Sequence, residues 1–419
     1  MASNGETPAG LTRKSSRNQL EDALEVEVND LQTLGTFIIN TAKDEDTSDL
    51  SILIQSIGTS CKYIANCVRK LGLAKLAGKA GTENVQGEEQ MKLDLVAHEV
   101  FSRGLANSGR CTVMVSEEVE ETISCAPSPH GRYVCVYDPL DGSSNIDCSV
   151  SIGSIFGIYK AKQRGVCDDA DALQPGKDMV AAGYALYGSA CNLVLTIGGC
   201  VYGFTLDSSL GEFVLTHPKI AVPNAGAIYS VNEGNSKFWD AGFRAYVEHV
   251  KTVEDPPRSL RYIGSMVADV HRTLLYGGTF SYPSDSKSPD GKLRLLYECF
   301  PMAYIMEKAG GAAKQKGPMG LLNAFAGAAA SAVTGKKLGG KMDDITVVVG
   351  AVVATDAAKE DIAAAEKVSA ALQKTADQVR KRAAGEEAKT MRSVNLRQQM
   401  DAALKEKVAE KELKEKKQA

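Results

Sequence analysis

Two apolar β-type runs in this sequence end in paired acids. Thr112–Ser116 leads into Glu117 and Glu118, and Val134–Tyr137 leads into Asp138, Pro139, Leu140 and Asp141. Runs of this kind favour a pleated, buried strand. Pro139 has no N–H for a ladder and is expected to end its run. Two such strand ends side by side bring Glu117, Glu118, Asp138 and Asp141 together. Clustered carboxylates repel one another and rise in pKa unless a cation neutralises them. Glu298 stands in a mostly apolar stretch, where an unpaired charge is costly, so a metal partner is expected there as well. After Asp141 come Gly142, Ser143, Ser144 and Asn145. The glycine lets backbone come close to a ligand. Small residues with free N–H groups at a turn or helix start make a phosphate cradle. Acids on one side and an anion cradle on the other suit a divalent cation between them. Mg²⁺ takes a few carboxylate oxygens and fills its shell with water and substrate phosphate, and Mn²⁺ is its substitute. The bland reading of D-P-L-D-G-S-S is an acidic turn. Its place directly after a buried strand favours the site.

The elements that position these residues follow from periodicity. Residues 22–42 place Leu24, Val28, Leu31, Leu34 and Ile38 at helical spacing. Thr47, Ser48 and Asp49 offer N-caps for a second helix, with Ile52, Ile57, Ile64 and Val68 inward and Arg69-Lys70 at its end. A Gly-rich loop spans Ala77–Gly87, and polar loops of this length often act as lids. Residues 88–105 read as a helix with Leu93, Val96, Val100 and Leu105 on one face and Asp94 beside it. An isolated Asp on a helix is most often a solvated surface residue. Residues 173–205 read as antiparallel strands with tight turns, and a second α/β region starts near 221. In Gly291–Glu298, Lys292 and Arg294 alternate as on one face of a strand and suit a sugar phosphate, or else form a solvated strand face.

The run from Asp138 to Tyr159, DPLDGSSNIDCSVSIGSIFGIY, closely resembles the fructose-1,6-bisphosphatase family. The wider superfamily of Mg²⁺- and Li⁺-responsive sugar and inositol phosphatases shares only D-P-x-D-G-[ST]. The resemblance implies an α/β fold, layered αβαβα, with mixed sheets in two domains. It implies Mg²⁺-dependent hydrolysis of the 1-phosphate of fructose 1,6-bisphosphate in gluconeogenesis by a homotetramer. It assigns Glu117, Glu118, Asp138, Asp141, Glu298 and the Leu140 carbonyl to two or more metals. Asp94, in Lys92-Leu93-Asp94, and Glu118 orient and deprotonate water. Asp141, Gly142, Ser143 and Ser144 face the leaving phosphate, while Asn232, Arg261, Tyr262, Tyr282 and Lys292 hold the sugar and its distal phosphate. Asn235 stands where an aromatic residue commonly follows the N-E-G segment, a departure from the family pattern at one hydroxyl–phosphate contact. The family's AMP site maps onto Thr47, Ser48, Asp49, Leu50 and Ser51, with Arg132, Tyr133 and Lys160. Lys160 replaces an expected Arg, and the two do not bind phosphate with the same geometry, so weak AMP inhibition is expected. Plastid members carry a Cys-bearing regulatory insertion near 160–172. Cys167 is present here without the insertion, so a cytosolic form is expected.

Length and composition agree with this reading. The chain has 419 residues, 44% of them hydrophobic, enough for two packed domains. A net charge of −4 gives no reason to expect nucleic acid or anionic membrane as a partner. Ten cysteines lie scattered without a C-x-x-C pair and read as reduced, buried thiols, and the five histidines show no zinc spacing. No apolar run is long enough to span a membrane. The expected organisation is a disordered 1–20, a metal-site and allosteric domain over 21–220, and a substrate-binding α/β domain over 221–316. A small-residue linker and strand over 317–355 and a charged helical tail over 356–419 complete it. The first segment has a few basic and Ser residues, but Glu6 and the lack of an amphipathic pattern argue against a transit peptide. The resemblance runs from about Leu31 to Gly311 and then breaks. Further on, D-D-I-T-V-V-V (Asp343–Val349) is similar to the last strand of metal-dependent serine/threonine phosphatases, whose Asp binds metal. Since nothing else of that domain is present, a fusion or rearranged product is expected. Other activities left open are sedoheptulose-bisphosphatase, an inositol phosphatase, or an inactive scaffold.

Overall fold

A computed structural model describes residues 31–71, 73, 78–84, 89–289, 291–316 and 346–350. The expected segments 1–20 and 356–419, and Asp343 and Asp344, lie outside the described residues. Among the described residues the first helix is α1, Leu34–Thr41; residues 31–33 before it are not helical, and the part of the 22–42 expectation that precedes them lies outside the described residues. Thr33 is extended, caps α1 by accepting from Thr36 N at 3.3 Å, and bridges Val214. Helix α2, Glu45–Arg69, is capped by Asp44, not by Thr47, Ser48 or Asp49. Asp44 Oδ1 accepts from Thr47 N at 2.8 Å and Thr47 Oγ1 accepts from Asp44 N at 3.0 Å, a reciprocal box that outcompetes the later candidates. Ile57 and Ile64 point inward, but Ile52 is 42% exposed, because it lies off the buried stripe formed by Leu50, Leu53, Ile54 and Ile57.

Within the stretch expected as the Ala77–Gly87 loop, Lys79–Glu83 forms a strand, β1, paired in a ribbon with β2 (Glu89–Met91). Helix α3, Lys92–Asn107, follows directly. Eight strands come next: β3 (Cys111–Ser116), β4 (Ile123–Ser124), β5 (Tyr133–Asp141), β6 (Ile152–Lys160), β7 (Ala181–Tyr187), β8 (Cys191–Ile197), β9 (Cys200–Asp207) and β10 (Glu212–His217). They form one mixed sheet in the order β10-β9-β8-β7-β6-β5-β3-β4. Side chains alternate across a strand, so β5 sends Tyr133, Cys135 and Tyr137 into one core and Val134 and Val136 into the other. The first core contains α1, α2 and α3. The second contains α5 (Met266–Tyr276) and α6 (Phe300–Lys308) and reaches Phe280 of the next sheet. A sheet buried on both faces explains why its strands read as continuous apolar runs.

The second sheet has the order β12-β11-β13-β15-β14, from β11 (Ile228–Ser230), β12 (Ser259–Leu260), β13 (Thr279–Tyr282), β14 (Ala312–Lys316) and β15 (Thr346–Gly350). Helix α4 (Ala241–Thr252) packs Val247 and Val250 with Tyr229, Val231 and Trp239. The layers are thus helices, sheet, helices, sheet, helix, as the αβαβα expectation had it.

Two local expectations are corrected. Pro139 does not end β5, which runs on to Asp141. The register against β6 shifts between Asp138 and Asp141, so the missing N–H falls where the ladder is already interrupted. Leu140 N is satisfied by Asp138 Oδ1 at 2.9 Å, and the Pro139 carbonyl accepts from Ser154 Oγ at 2.7 Å. Residues 291–298 are not a strand. After a bend, Leu295–Cys299 forms a π turn leading into α6, where Pro301 sits at the start and needs no N–H.

Candidate active site

The acids of β3 and β5 meet because these strands are parallel neighbours, with Ser116 opposite Tyr137. Glu117, Asp138 and Glu298 each present a carboxylate oxygen, and these oxygens lie within 4.8 Å of one another. All three are buried, with Asp138 and Glu298 1% exposed. Glu298 arrives on the π turn, a wide turn often found at functional sites. Asp141 accepts from Val267 N, in the first turn of α5, at 3.1 Å. That approach needs Gly153 opposite Asp141 on β6, since a Cβ there would sit 2.7 Å from Val267 Cγ1.

Burial pushes up the carboxyls of Glu117, Asp141 and Glu298, each to about 7. For Glu117 and Glu298 the Arg294 guanidinium pulls the other way. Asp138 is raised well above the usual carboxylate range by burial and by its neighbours Glu117, Asp141 and Glu298. Arg294 bonds Glu117 at 2.9 Å and Glu298 at 3.2 Å, and its backbone N–H reaches Glu298 at 2.6 Å. It therefore braces the acids, where the strand reading had it facing a sugar phosphate. Asp138 Oδ2 is buried with no hydrogen-bond partner. An orphaned oxygen inside a ring of buried carboxylates fits a hard cation and little else.

Asp94 is 2% exposed, so the surface reading of a lone helical Asp does not apply. It sits in the first turn of α3, where an anion is favoured. Its Oδ2 accepts from Met91 N at 2.7 Å, while Oδ1 is unpartnered. Burial, with Glu118 and Glu117 nearby, pushes its carboxyl up to about 8. Glu118 accepts from Gln90 Nε2, and its backbone N–H reaches Ser116 Oγ at 3.3 Å. That hydroxyl meets His98 Nδ1 at 2.9 Å, tying the Glu117-Glu118 corner to α3. On the cradle side, Gly142 takes φ +79°, a left-handed conformation that favours glycine. Ser143 and Ser144 lie in the 3₁₀ turn Ser143–Cys148 that follows. Asn145 Nδ2 donates to the Gly264 carbonyl at 3.0 Å and so ties this turn to the Arg261–Gly264 loop.

Comparison with known proteins decides the lineage. The profile "Fructose-1-6-bisphosphatase, N-terminal domain" matches residues 32–218, and "Fructose-1-6-bisphosphatase, C-terminal domain" matches 222–337. The chain belongs to the fructose-1,6-bisphosphatase family. A cytosolic fructose-1,6-bisphosphatase of Saccharum hybrid is 57% identical over 296 residues, 70% of this chain and 86% of that protein. The cytosolic enzyme of Arabidopsis thaliana is 56% identical over 298 residues, 70% of this chain and 87% of that protein. The solved Leishmania major fructose-1,6-bisphosphatase in holo form is 41% identical, covers 77% of this chain and 95% of that one, and superposes with a TM-score of 0.68. The C-terminal-domain match runs to residue 337, past Gly311, where the resemblance was expected to break.

Within this fructose-1,6-bisphosphatase fold the remaining candidates lie as follows. Asn232 caps a 3₁₀ turn, accepting from Gly234 N at 3.1 Å. Arg261 and Lys292 are exposed, and Tyr262 and Tyr282 are half-buried. Arg261 donates to the Leu260 carbonyl at 2.9 Å. Tyr262 is pushed up to about 12 by burial, with Tyr282, Asp269 and Asp141 nearby. Sequence reasoning missed the residue that organises this side. Asp269, fully buried, accepts from Ser230 Oγ at 2.7 Å, from Ile263 and Gly264 N at 3.1 Å, and from Arg272 at 2.8 Å. A charge inside the apolar Met266–Leu274 face was the available signal.

The candidates of the second cluster lie at the start of α2. There Arg132 pairs with Glu45 at 2.6 Å, with Asp49 at 2.7 Å and with Asp46. Tyr133 OH donates to the Asp46 carbonyl at 2.6 Å, and Lys160 also bonds Asp46. Thr47 is held in the cap of α2, and Ser48 and Ser51 donate back to the Asp44 and Thr47 carbonyls, each at 2.8 Å. Leu50 is buried in the core.

Proposed function

We propose that this chain performs its family's reaction with Glu117, Asp138, Asp141, Glu298 and the Leu140 carbonyl holding divalent cations. It hydrolyses fructose 1,6-bisphosphate to fructose 6-phosphate and phosphate, as a phosphoric monoester hydrolase of sugar metabolism. The single observation that carries the site reading is the buried set Glu117, Asp138 and Glu298 with the unpartnered Asp138 Oδ2. When bound, Mg²⁺ ions stabilise charge on the attacking and leaving oxygens and lower the pKa of water. Asp94 and Glu118 orient the attacking water and take its proton. Ser143 and Ser144 hold the departing phosphate, and Gly142 lets backbone N–H groups approach it. Asn232, Arg261, Tyr262, Tyr282 and Lys292 hold the sugar and its second phosphate.

Residues 21–220 form the metal-site domain and 221–316 the substrate domain in this reading. The names of the cytosolic relatives support a cytoplasmic location. The homotetramer, and AMP as a weak ligand of the Arg132, Tyr133 and Lys160 cluster, belong to this reading through the family resemblance alone. Phosphate release from fructose 1,6-bisphosphate by the full chain, with and without Mg²⁺, tests the function. Metal-dependent release upholds it. A folded protein that releases nothing, or that prefers sedoheptulose bisphosphate or an inositol phosphate, overturns it.

A further inference from the structure

We propose that Thr346–Gly350, a segment beyond the family match, is the strand that closes the second sheet and positions Tyr282 for substrate. The match to the C-terminal profile ends at 337, yet β15 lies inside the sheet, between β13 and β14, which both fall within the match. It is antiparallel to both. Tyr282, Ser281, Phe280 and Thr279 stand opposite Val347, Val348, Val349 and Gly350. On the other side Ala312 to Lys316 stand opposite Gly350 to Thr346. Thr346, Val347, Val348 and Val349 are β-branched and suit an interior strand. Without β15 the short β13 keeps only its parallel pairing to β11, of two residue pairs, and β14 loses the only partner it has among the described residues. Both would become open edges, prone to slip or aggregate. The T-V-V-V part of the D-D-I-T-V-V-V motif thereby acquires a role in this fold that needs no second active site.

Tyr282 is the last residue of β13 and its ladder partner is Val347. The acid cluster sits mainly at the ends of strands in the other sheet. Loss of β15 should therefore act on substrate binding more than on the chemical step. This step rests on the reading of Tyr282 as a substrate contact, so Tyr282→Phe is measured beside it.

The test uses the full chain. Amide hydrogen exchange of Val347, Val348 and Val349 should be at least about a hundredfold slower than in unstructured peptide. Val348→Pro removes an N–H from an interior strand and should lower Tm and raise KM for fructose 1,6-bisphosphate about tenfold, with kcat within about threefold. Should that variant not fold, Val348→Ala, which keeps the N–H, should still fold and melt below the unsubstituted chain. Exchange at the unstructured rate, or Val348→Pro with unchanged Tm and KM, overturns the proposal. An unchanged KM in Tyr282→Phe overturns the substrate role of Tyr282, and with it the positioning of Tyr282, while exchange and melting still judge the strand.

Discussion

Two charge clusters in this molecule are built on opposite terms. At the end of β5, Glu117, Asp138, Asp141 and Glu298 gather around one guanidinium, that of Arg294, and every one of these acids is pushed up in pKa. At the start of α2, Arg110, Arg132, Lys160 and Arg164 meet Glu45, Asp46 and Asp49 in close pairs. There the carboxyls of Glu45 and Asp46 are held below their usual range by Arg164 and Lys160. The first cluster sets one guanidinium against four acids and keeps an orphaned oxygen. The second is close to neutral within itself. Buried charge without a partner marks a place that a ligand must complete, whereas charge already paired marks architecture that a ligand must displace.

Single substitutions in the first cluster should have the largest effects. Asp138→Asn is expected to lower turnover at saturating Mg²⁺ by about 10²–10⁴-fold, and Asp94→Ala by a similar factor. Asp138→Asn should also raise the Tm of the metal-free protein, because it removes a repelling charge, and reduce the further rise that Mg²⁺ gives. An Asp138→Asn enzyme that keeps its turnover would break the comparison at once. A smaller effect concerns pH. Burial pushes Glu117, Asp141 and Glu298 up to about 7 and Asp94 up to about 8, and raises Asp138 well above the usual carboxylate range, against 3.8 to 4.5 for the unperturbed groups. Between these limits the native state binds more protons than the unfolded chain, so stability falls as pH rises. Metal-free Tm should drop from pH 5 to pH 8, and the rise on adding Mg²⁺ should be larger at pH 8. At a hundred times Kd, bound ion is worth about 2.7 kcal/mol. Calorimetry at both pH values checks this, and a Mg²⁺ effect that shrinks with pH would contradict it.

How much of this was readable beforehand follows physical lines. Glu117, Glu118, Asp138 and Asp141 were legible because a strand end is a local pattern and parallel neighbours bring such ends together. The bracing by Arg294 was not, because Lys-Leu-Arg-Leu alternates like a strand over a stretch too short to exclude the turn that forms. Pro139 misled because a register shift absorbs its missing N–H, and a register shift is a property of two strands. Asp269 escaped notice because its partners come from Ser230 and the Ile263–Gly264 backbone, distant or unremarkable in sequence. The layered fold was implied by the family resemblance, and the continuous apolar runs of its strands agree with a sheet covered on both faces. The position of β15 depends on which strands stand open, which no local pattern encodes.

In the second cluster the expected effects are smaller and opposite in kind. Arg132→Ala leaves Asp46 with Lys160 alone and Asp49 with Arg110 alone, and should lower Tm by a few degrees while leaving metal-dependent kcat nearly unchanged. The finest test concerns AMP. Any phosphate that reaches Arg132 and Lys160 must displace Asp46, and Glu45 holds both Arg132 and Arg164. These side chains are exposed enough to be screened, so their hold is modest. Converting both acids to amides, Glu45→Gln with Asp46→Asn, should therefore strengthen AMP inhibition by up to about tenfold, the ratio that 1.4 kcal/mol represents. The gain should fade at high salt, since screening weakens the original pairs as well. Equal AMP inhibition in the two proteins at low salt would mean that the acids do not compete, and the contrast between the clusters would then rest on the metal site alone.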